Sequence, residues 1–268
     1  MPLQTFLTIF VIILSNYLIT KHAIMSNLRF YSPENLSVGA TVKLSETATT
    51  HATRVMRLNV GDALTLFCGD GFDYSCELVS VKKNEVLAKV ISSANVASES
   101  NLHITLLQGI SAGDRMEFAL QKAVELGVTK IIPLKTERSV VKLSPERTEK
   151  RLEHWQNVVI AACEHSGRAV IPQVEAPITL NVFFTKNVTS NITRITLDPL
   201  ADKKLADLPK PTGEIQLLVG AEGGLNANEI TLAGQHGFVG VQLGKRILRT
   251  ETAPLAAIAA MQTLWGDF

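Results

Sequence analysis

The sequence predicts an α/β protein, with a small β domain followed by a mostly parallel sheet that carries helices on both faces. Three observations predict it. Residues 26–97 hold short strand candidates at close spacing, a pattern that suggests a barrel. From residue 102 onward, strand candidates alternate with amphipathic helices, which argues for a parallel sheet. Near the C-terminus, two glycine-bearing turns, Leu217–Leu225 and Val241–Ala253, each begin as an apolar run that reads as a buried strand.

In the β domain the strands are expected at Thr41–Leu44, Ala63–Cys68, Tyr74–Val81 and Val86–Ile91. Val60-Gly61-Asp62, Gly69-Asp70-Gly71 and Lys83-Asn84 supply the turns. His51 to Leu58 has helical spacing and places Arg54 and Arg57 on one face. Ser92 to Asn101 is small, polar and aperiodic, and reads as the linker. Beyond it, Leu102–Gln108 is a strand, and Asp114–Leu126 is a helix with Met116, Ala119, Leu120, Ala123 and Val124 facing inward and Gly127 as its stop. Val128–Leu134 is the next strand. A long helix runs from Pro145, behind the Ser144 cap, to about Gly167, with Leu152, Trp155, Val158, Val159 and Ala162 as its apolar positions. Strands follow at Ile192–Leu197 and Ile215–Val219. Asn226 and Glu229 form an Asn version of a capping box that starts a helix between the two glycine turns. Pro254–Trp265 is an Ala-rich helix with Pro in its first turn.

The 268 residues, 46% hydrophobic and 19% charged, suffice for one large or two smaller domains. The boundaries are expected at 25–97 and 98–268. With a formal net charge of +1, any nucleic-acid contact must come from a local basic patch. Cys68, Cys76 and Cys163 are odd in number and lack CxxC spacing, which disfavours disulfides and zinc and fits a reducing compartment. Residues 1–24 form an apolar N-terminal extension in which Phe6–Leu14 is almost free of polar groups. It lacks a basic n-region and a cleavage site, and Thr8, Ser15 and Asn16 interrupt it. An upstream start codon ahead of Met25 is expected rather than a membrane anchor, so the expected location is the cytoplasm.

No GxxxxGK[ST] occurs and no GxGxxG follows a strand, which argues against P-loop NTPases and Rossmann dehydrogenases. The six His show no HExxH or cluster spacing, so no metal is expected. Gly109-Ile110-Ser111-Ala112-Gly113 fits the GxSxG of a nucleophile elbow between strand and helix, with His154 or His236 downstream as partners for a hydrolase. A Gly-rich βα turn that happens to hold Ser fits better, because no HGGG-type oxyanion run precedes it.

In open α/β sheets ligands sit beyond the carboxyl ends of strands, and Gly lets backbone approach them closely, so the two C-terminal turns suggest one bound small molecule, although ordinary βα turns with glycine for steric reasons fit their spacing equally well. Their strings, Val219-Gly220-Ala221-Glu222-Gly223-Gly224 and Leu243-Gly244-Lys245-Arg246-Ile247-Leu248-Arg249-Thr250-Glu251-Thr252-Ala253, closely resemble the C-terminal signature of the ribosomal RNA small-subunit methyltransferase E family. Three further strings match that family, around Arg115-Met116-Glu117 and Gln121 to Gly127, at Glu137-Arg138-Ser139, and at Ala162-Cys163-Glu164-His165-Ser166-Gly167-Arg168. Ala221 stands where the family usually has Pro, and His165 where it usually has Gln. Ala leaves φ less restricted, so a slightly looser turn is expected.

The resemblance runs from Met25 to Phe268. It implies a PUA-like RNA-binding β-barrel followed by a SPOUT trefoil-knotted α/β methyltransferase domain, acting as a homodimer. The implied reaction is transfer of the S-adenosyl-L-methionine methyl to uridine N3 in 16S ribosomal RNA, within the small ribosomal subunit. The implied cofactor residues are Leu197, Val219, Gly220, Ala221, Glu222, Gly223, Gly224, Leu243, Gly244, Ile247, Leu248, Thr250, Thr252 and Ala253. Arg29, Arg54, Arg57, Arg115 and Arg138 become candidates for RNA contact.

The sulfonium methyl is already activated, so the protein must mainly align the reacting atoms. Uracil N3 must lose a proton, which a carboxylate can accept, and an Arg can steady the charge left on the ring oxygens. Glu164 and Arg168, spaced by one helical turn, and Arg249 are the catalytic candidates. A surface i,i+4 ion pair worth about 0.3–0.5 kcal/mol explains Glu164 and Arg168 equally well. A SPOUT enzyme acting on transfer RNA and a non-catalytic RNA-binding protein remain as alternatives.

Overall fold

The computed structural model describes residues 28–141, 144–186 and 191–268. The apolar extension of residues 1–24 therefore lies outside the described residues. The chain divides into two units, one reaching to Ser98 and including Gly167–Val170, the other formed by Glu99–Ser166 and Ile171–Phe268.

Period-two burial builds the first unit. Its strands are β1 (Arg29–Tyr31), β2 (Thr41–Lys43), β3 (Ala63–Phe67), β4 (Phe72–Lys82) and β5 (Glu85–Asn95). They form one sheet in the order β1-β3-β4-β5-β2, antiparallel except for the parallel β1–β3 pair. Tyr74, Cys76 and Leu78 on β4 and Val86, Ala88 and Val90 on β5 face one core, because successive strand residues point to opposite faces. Among the described residues no ladder joins β1 to β2, so the barrel is open along that seam.

Two sequence expectations are corrected here. Ser92–Asn95 are not linker: they extend β5 opposite Phe72–Ser75. All four are exposed, so their backbone pairs while their side chains carry no apolar signal. The helical stretch begins earlier than His51, as α1 (Glu46–Thr50), where Ser45 Oγ accepts the Ala48 N–H at 3.2 Å. It continues as a π turn over His51–Val55. Arg57 lies beyond that turn with φ of 53°, so Arg54 and Arg57 are both exposed but do not share a helical face.

Arg29 is also corrected, because it is a core residue of this unit rather than a phosphate contact. Its side chain is 5% exposed and reaches Asp73 Oδ1 with Nη2 at 2.7 Å and with Nε at 3.0 Å. The guanidinium stacks on Phe67 at 3.8 Å, and Nη2 also donates to the Arg168 carbonyl at 3.0 Å. Arg29→Ala leaves Asp73 without this partner, and should destabilise the protein by about 2–4 kcal/mol, read by denaturant unfolding. A loss of RNA affinity with stability unchanged would contradict that assignment.

Among the described residues the second unit is built on a seven-stranded parallel sheet. Its strands are β6 (Ile104–Gly109), β7 (Lys130–Lys135), β8 (Gln173–Val174), β9 (Ile178–Thr179), β10 (Ile192–Leu197), β11 (Glu214–Val219) and β12 (Val239–Val241). Their order is β12-β10-β11-β6-β7-β8, with β9 also pairing with β7. β6 is buried along its whole length, as a parallel strand covered on both faces should be.

The helices are α2 (Asp114–Glu125), α3 (Pro145–Ser166), α4 (Leu180–Lys186), α5 (Ala227–Gln235) and α6 (Thr252–Trp265). The inward residues of α2 are those expected from its spacing. Leu180 and Phe183 of α4 and Ala233 of α5 pack with Leu107, Ile132, Leu134 and Leu218 of the sheet. α6 packs against α2 and β11. The capping box at the start of α5 forms as expected: Asn226 Oδ1 accepts the Glu229 N–H at 2.9 Å and Glu229 Oε2 accepts the Asn226 N–H at 2.8 Å. β1, β8, β9, α1 and α4 carry too few residues to establish a period in the sequence.

Candidate active site

Because β6, β10, β11 and β12 run parallel, their C-terminal ends Gly109, Leu197, Val219 and Val241 reach one edge of the sheet. The turns leaving that edge enclose a cavity of about 430 Å³.

The first turn is closed by the Gly224 N–H, which donates to the Ala221 carbonyl at 2.9 Å. Ala221 itself is buried. Gly220 is required by packing: a Cβ there would lie 2.6 Å from Gly224 C and 2.7 Å from Leu225 N. Gly109 meets the same turn from β6, and a Cβ there would collide with the backbone at Gly220 and Ala221. At Gly223 the added atom would lie 2.8 Å from Arg138 Cβ and 3.3 Å from the Arg138 carbonyl oxygen, so it too would press on atoms anchored to the backbone.

A buried hydroxyl network joins the two turns. Thr250 Oγ1 donates to the Gly220 carbonyl at 2.9 Å and receives Gln108 Nε2–H at 3.2 Å. Ser111 Oγ lies 3.1 Å from Thr250 Oγ1 and 3.2 Å from the Gly109 carbonyl. This disposes of the hydrolase reading, since Ser111 is buried and bound to structural partners. The two His proposed as its partners are engaged elsewhere, His236 stacked on Phe184 and His154 at 2.9 Å from Glu117.

Every candidate cofactor residue lines the cavity except Thr252. Thr252 instead opens α6, with its N–H donated to the Arg249 carbonyl at 2.9 Å. Of the catalytic candidates, Arg249 is on the wall, while Glu164 and Arg168 are not. The expectation that Glu164 and Arg168 share one helical face is also corrected. α3 ends at Ser166, and Gly167 (φ +78°) turns the chain into the 167–170 segment, where Arg168 is buried. That segment is strapped to the first unit by Ser98 Oγ–H on the Gly167 carbonyl (3.1 Å) and by Gly71 N–H on the Ala169 carbonyl (3.2 Å).

Arg138 lies on the cavity wall and donates to the Gly223 carbonyl at 3.0 Å, so it braces the first turn. Arg115 is half-exposed and pairs with Glu222 at 3.3 Å. Asp198, Pro199, Leu200 and Arg246 also line the cavity and were missed. The first three directly follow a strand, the position where the parallel-sheet rule places ligand residues, and that rule was the available signal.

Glu222 lines the cavity, but its Oε1 turns to the Ala112 N–H at 2.8 Å and to Arg115. Burial alone would raise its carboxyl. The hydrogen bonds from the Ala112 N–H and its own N–H, together with the Arg115 charge, outweigh burial and hold it below the ordinary carboxylate value. A depressed folded-state value means the stabilisation is present above the unfolded carboxylate pKa and is lost as pH falls through the folded one. Glu222→Gln should therefore cost about 1 kcal/mol at neutral pH, and its unfolding curve should converge with wild type in acid below the usual carboxylate range. A gap that persists unchanged at such acidity would show that charge is not what holds this turn.

Comparison with known proteins agrees with this geometry. Residues 98–262 match the model of an RNA methyltransferase domain, and residues 44–91 match an RNA methyltransferase PUA domain. The ribosomal RNA small subunit methyltransferase E of Buchnera aphidicola subsp. Schizaphis graminum is 34% identical, over 89% of this chain and 97% of its own length. The Bacillus subtilis protein of that name is 32% identical, over 81% of this chain and 89% of its own length. The crystal structure of the Neisseria gonorrhoeae enzyme of that name, bound to S-adenosylmethionine, superposes with a TM-score of 0.84 at 48% identity, covering 90% of this chain and 98% of that one. Matched in both units and along nearly the full length of these relatives, the chain belongs to the ribosomal RNA small subunit methyltransferase E family and has its fold, a PUA-like domain with a knotted SPOUT α/β domain.

Proposed function

We propose that this chain transfers the methyl group of S-adenosyl-L-methionine to N3 of a uridine in 16S ribosomal RNA, within the small ribosomal subunit, as a cytoplasmic homodimer. The observation that carries the reading is the single cavity formed by both glycine turns at the ends of parallel strands, in a chain whose relative holds S-adenosylmethionine.

The residues present fit that cofactor. Leu197, Val219, Leu243 and Leu248 supply apolar wall for a flat base, and the close-packed backbone at Gly220 brings main-chain polar groups to the cavity. A volume of about 430 Å³ lies in the range of small-molecule sites. The cofactor supplies an electrophilic methyl on sulfur, and the protein's part is to orient and to stabilise charge. Arg249, exposed on the wall, steadies the anion that develops on the uracil oxygens as the N3 proton leaves. Arg54 and Arg57, exposed on the first unit, contact phosphates without reading sequence. Leu200 and Ile247 are almost fully exposed beside the cavity and offer apolar surface that a second copy would cover, which supports the homodimer.

Nucleoside analysis of 16S RNA from a strain lacking the gene tests the reaction. The RNA should lack 3-methyluridine at one position and regain it on complementation. An unchanged nucleoside profile would overturn the proposal.

A further inference from the structure

A second cavity, of about 450 Å³, lies in the same unit beside α2 and α3. Gly113, Glu117 and Val141 frame one side, and Arg147, Lys150, Arg151 and His154 of α3 frame the other. Those four positions are spaced i, i+3, i+4 and i+7, so they share one helical face. Glu146, Glu149 and Glu153 fall on the neighbouring face, and the helix therefore sorts its charges by sign.

On this helix Lys150 has Glu146 at i−4 and Glu153 at i+3, whereas Arg147 and Arg151 have no carboxylate at those spacings and stand i,i+4 from each other, where like charges repel. Among the described residues Arg147, Lys150 and Arg151 make no ion pair, whereas the one carboxylate in the cavity, Glu117, is taken by His154 at 2.9 Å. Three permanent cations are thus gathered at one cavity, in a chain whose formal net charge is +1. An anionic ligand relieves their repulsion. From Arg147 to Lys150 and Arg151 the charges extend over about 6 Å of helix axis, a line suited to successive phosphates of a strand.

The cavity adjoins the cofactor site along two short paths. Gly113 follows Ala112, whose N–H is held by Glu222 of the first glycine turn. Val141 lies three residues beyond Arg138, which binds the Gly223 carbonyl on the wall of the cofactor cavity. We propose that this second cavity holds phosphodiesters of the substrate RNA flanking the target nucleotide, with Arg147, Lys150 and Arg151 as the phosphate contacts. The proposal rests on reading the first cavity as the site of methyl transfer.

The test is the full-length triple variant Arg147→Ala/Lys150→Ala/Arg151→Ala. Its affinity is measured against single-stranded oligouridine, a 16S RNA fragment containing the target, and intact small subunits. Loss of three phosphate contacts should reduce the slope of log affinity against log salt by about 2 on single strands, with affinity falling on the order of 10-fold at moderate salt. KM for RNA should rise while kcat at saturating RNA and S-adenosylmethionine affinity stay at wild-type values. An unchanged salt slope and KM would overturn the proposal, as would loss of cofactor binding. Weaker binding confined to intact subunits, with naked RNA unaffected, would assign the patch to a protein partner and overturn it too. If the wild type makes no 3-methyluridine, the methyl-transfer reading fails, whereas the oligouridine slopes still decide whether the patch binds phosphates.

Discussion

Gly220→Ala is expected to lower S-adenosylmethionine affinity at least about 100-fold, equivalent to about 2.7 kcal/mol. The added methyl meets main-chain atoms of Gly224 and Leu225 rather than a side chain able to swing aside. The turn must open to admit it. Opening moves the Gly220 carbonyl away from Thr250 Oγ1 and so loosens the contact between both halves of the cofactor wall. Titration calorimetry checks the affinity, and circular dichroism checks that the variant folds. A folded Gly220→Ala protein that binds within a few-fold of wild type would remove the close-packed turn from the cofactor site.

Arg249→Ala should lower kcat and kcat/KM for RNA together, on the order of 100-fold, with cofactor affinity nearly unchanged. An interaction that strengthens only as the uracil oxygens gain charge acts on the transition state, so saturating RNA does not restore the rate. Arg249→Lys keeps the charge but not the planar fork of donors, and should recover only part of the activity. If Arg249→Ala raised only KM for RNA, Arg249 would be a docking residue, and Arg246 and Arg138 would remain as the cations on the same wall.

Much of the candidate site was legible without coordinates, because its residues are consecutive in two turns. Strand-ending apolar runs and glycine mark the two turns, the family resemblance supplies the cofactor residues within them, and all but Thr252 of those line the cavity. Arg29, Arg168 and Ser111 were not legible in this way. The family resemblance makes Arg29 a candidate for RNA contact, but Asp73, 44 positions away, and the Phe67 ring satisfy it inside. Arg168 was placed one turn from Glu164, but Gly167 ends the helix between them. Ser111 matched a nucleophile motif, yet Thr250, 139 residues later, takes up its hydroxyl.

The sequence alone determined the longer strands and helices and the inward residues of α2, since periodicity records which side of one element avoids water. It also placed the α5 capping box, whose partners lie three residues apart. Tertiary structure decided which elements share an edge. The seating of Thr250 on Gly220 and Gln108, the entry of Asp198 and Arg246 into the cavity, and the gathering of α3 cations near the cofactor wall all depend on chain crossings. Period and spacing describe a segment's own faces, whereas the neighbours of those faces are set by how distant segments pack, and only coordinates contain that.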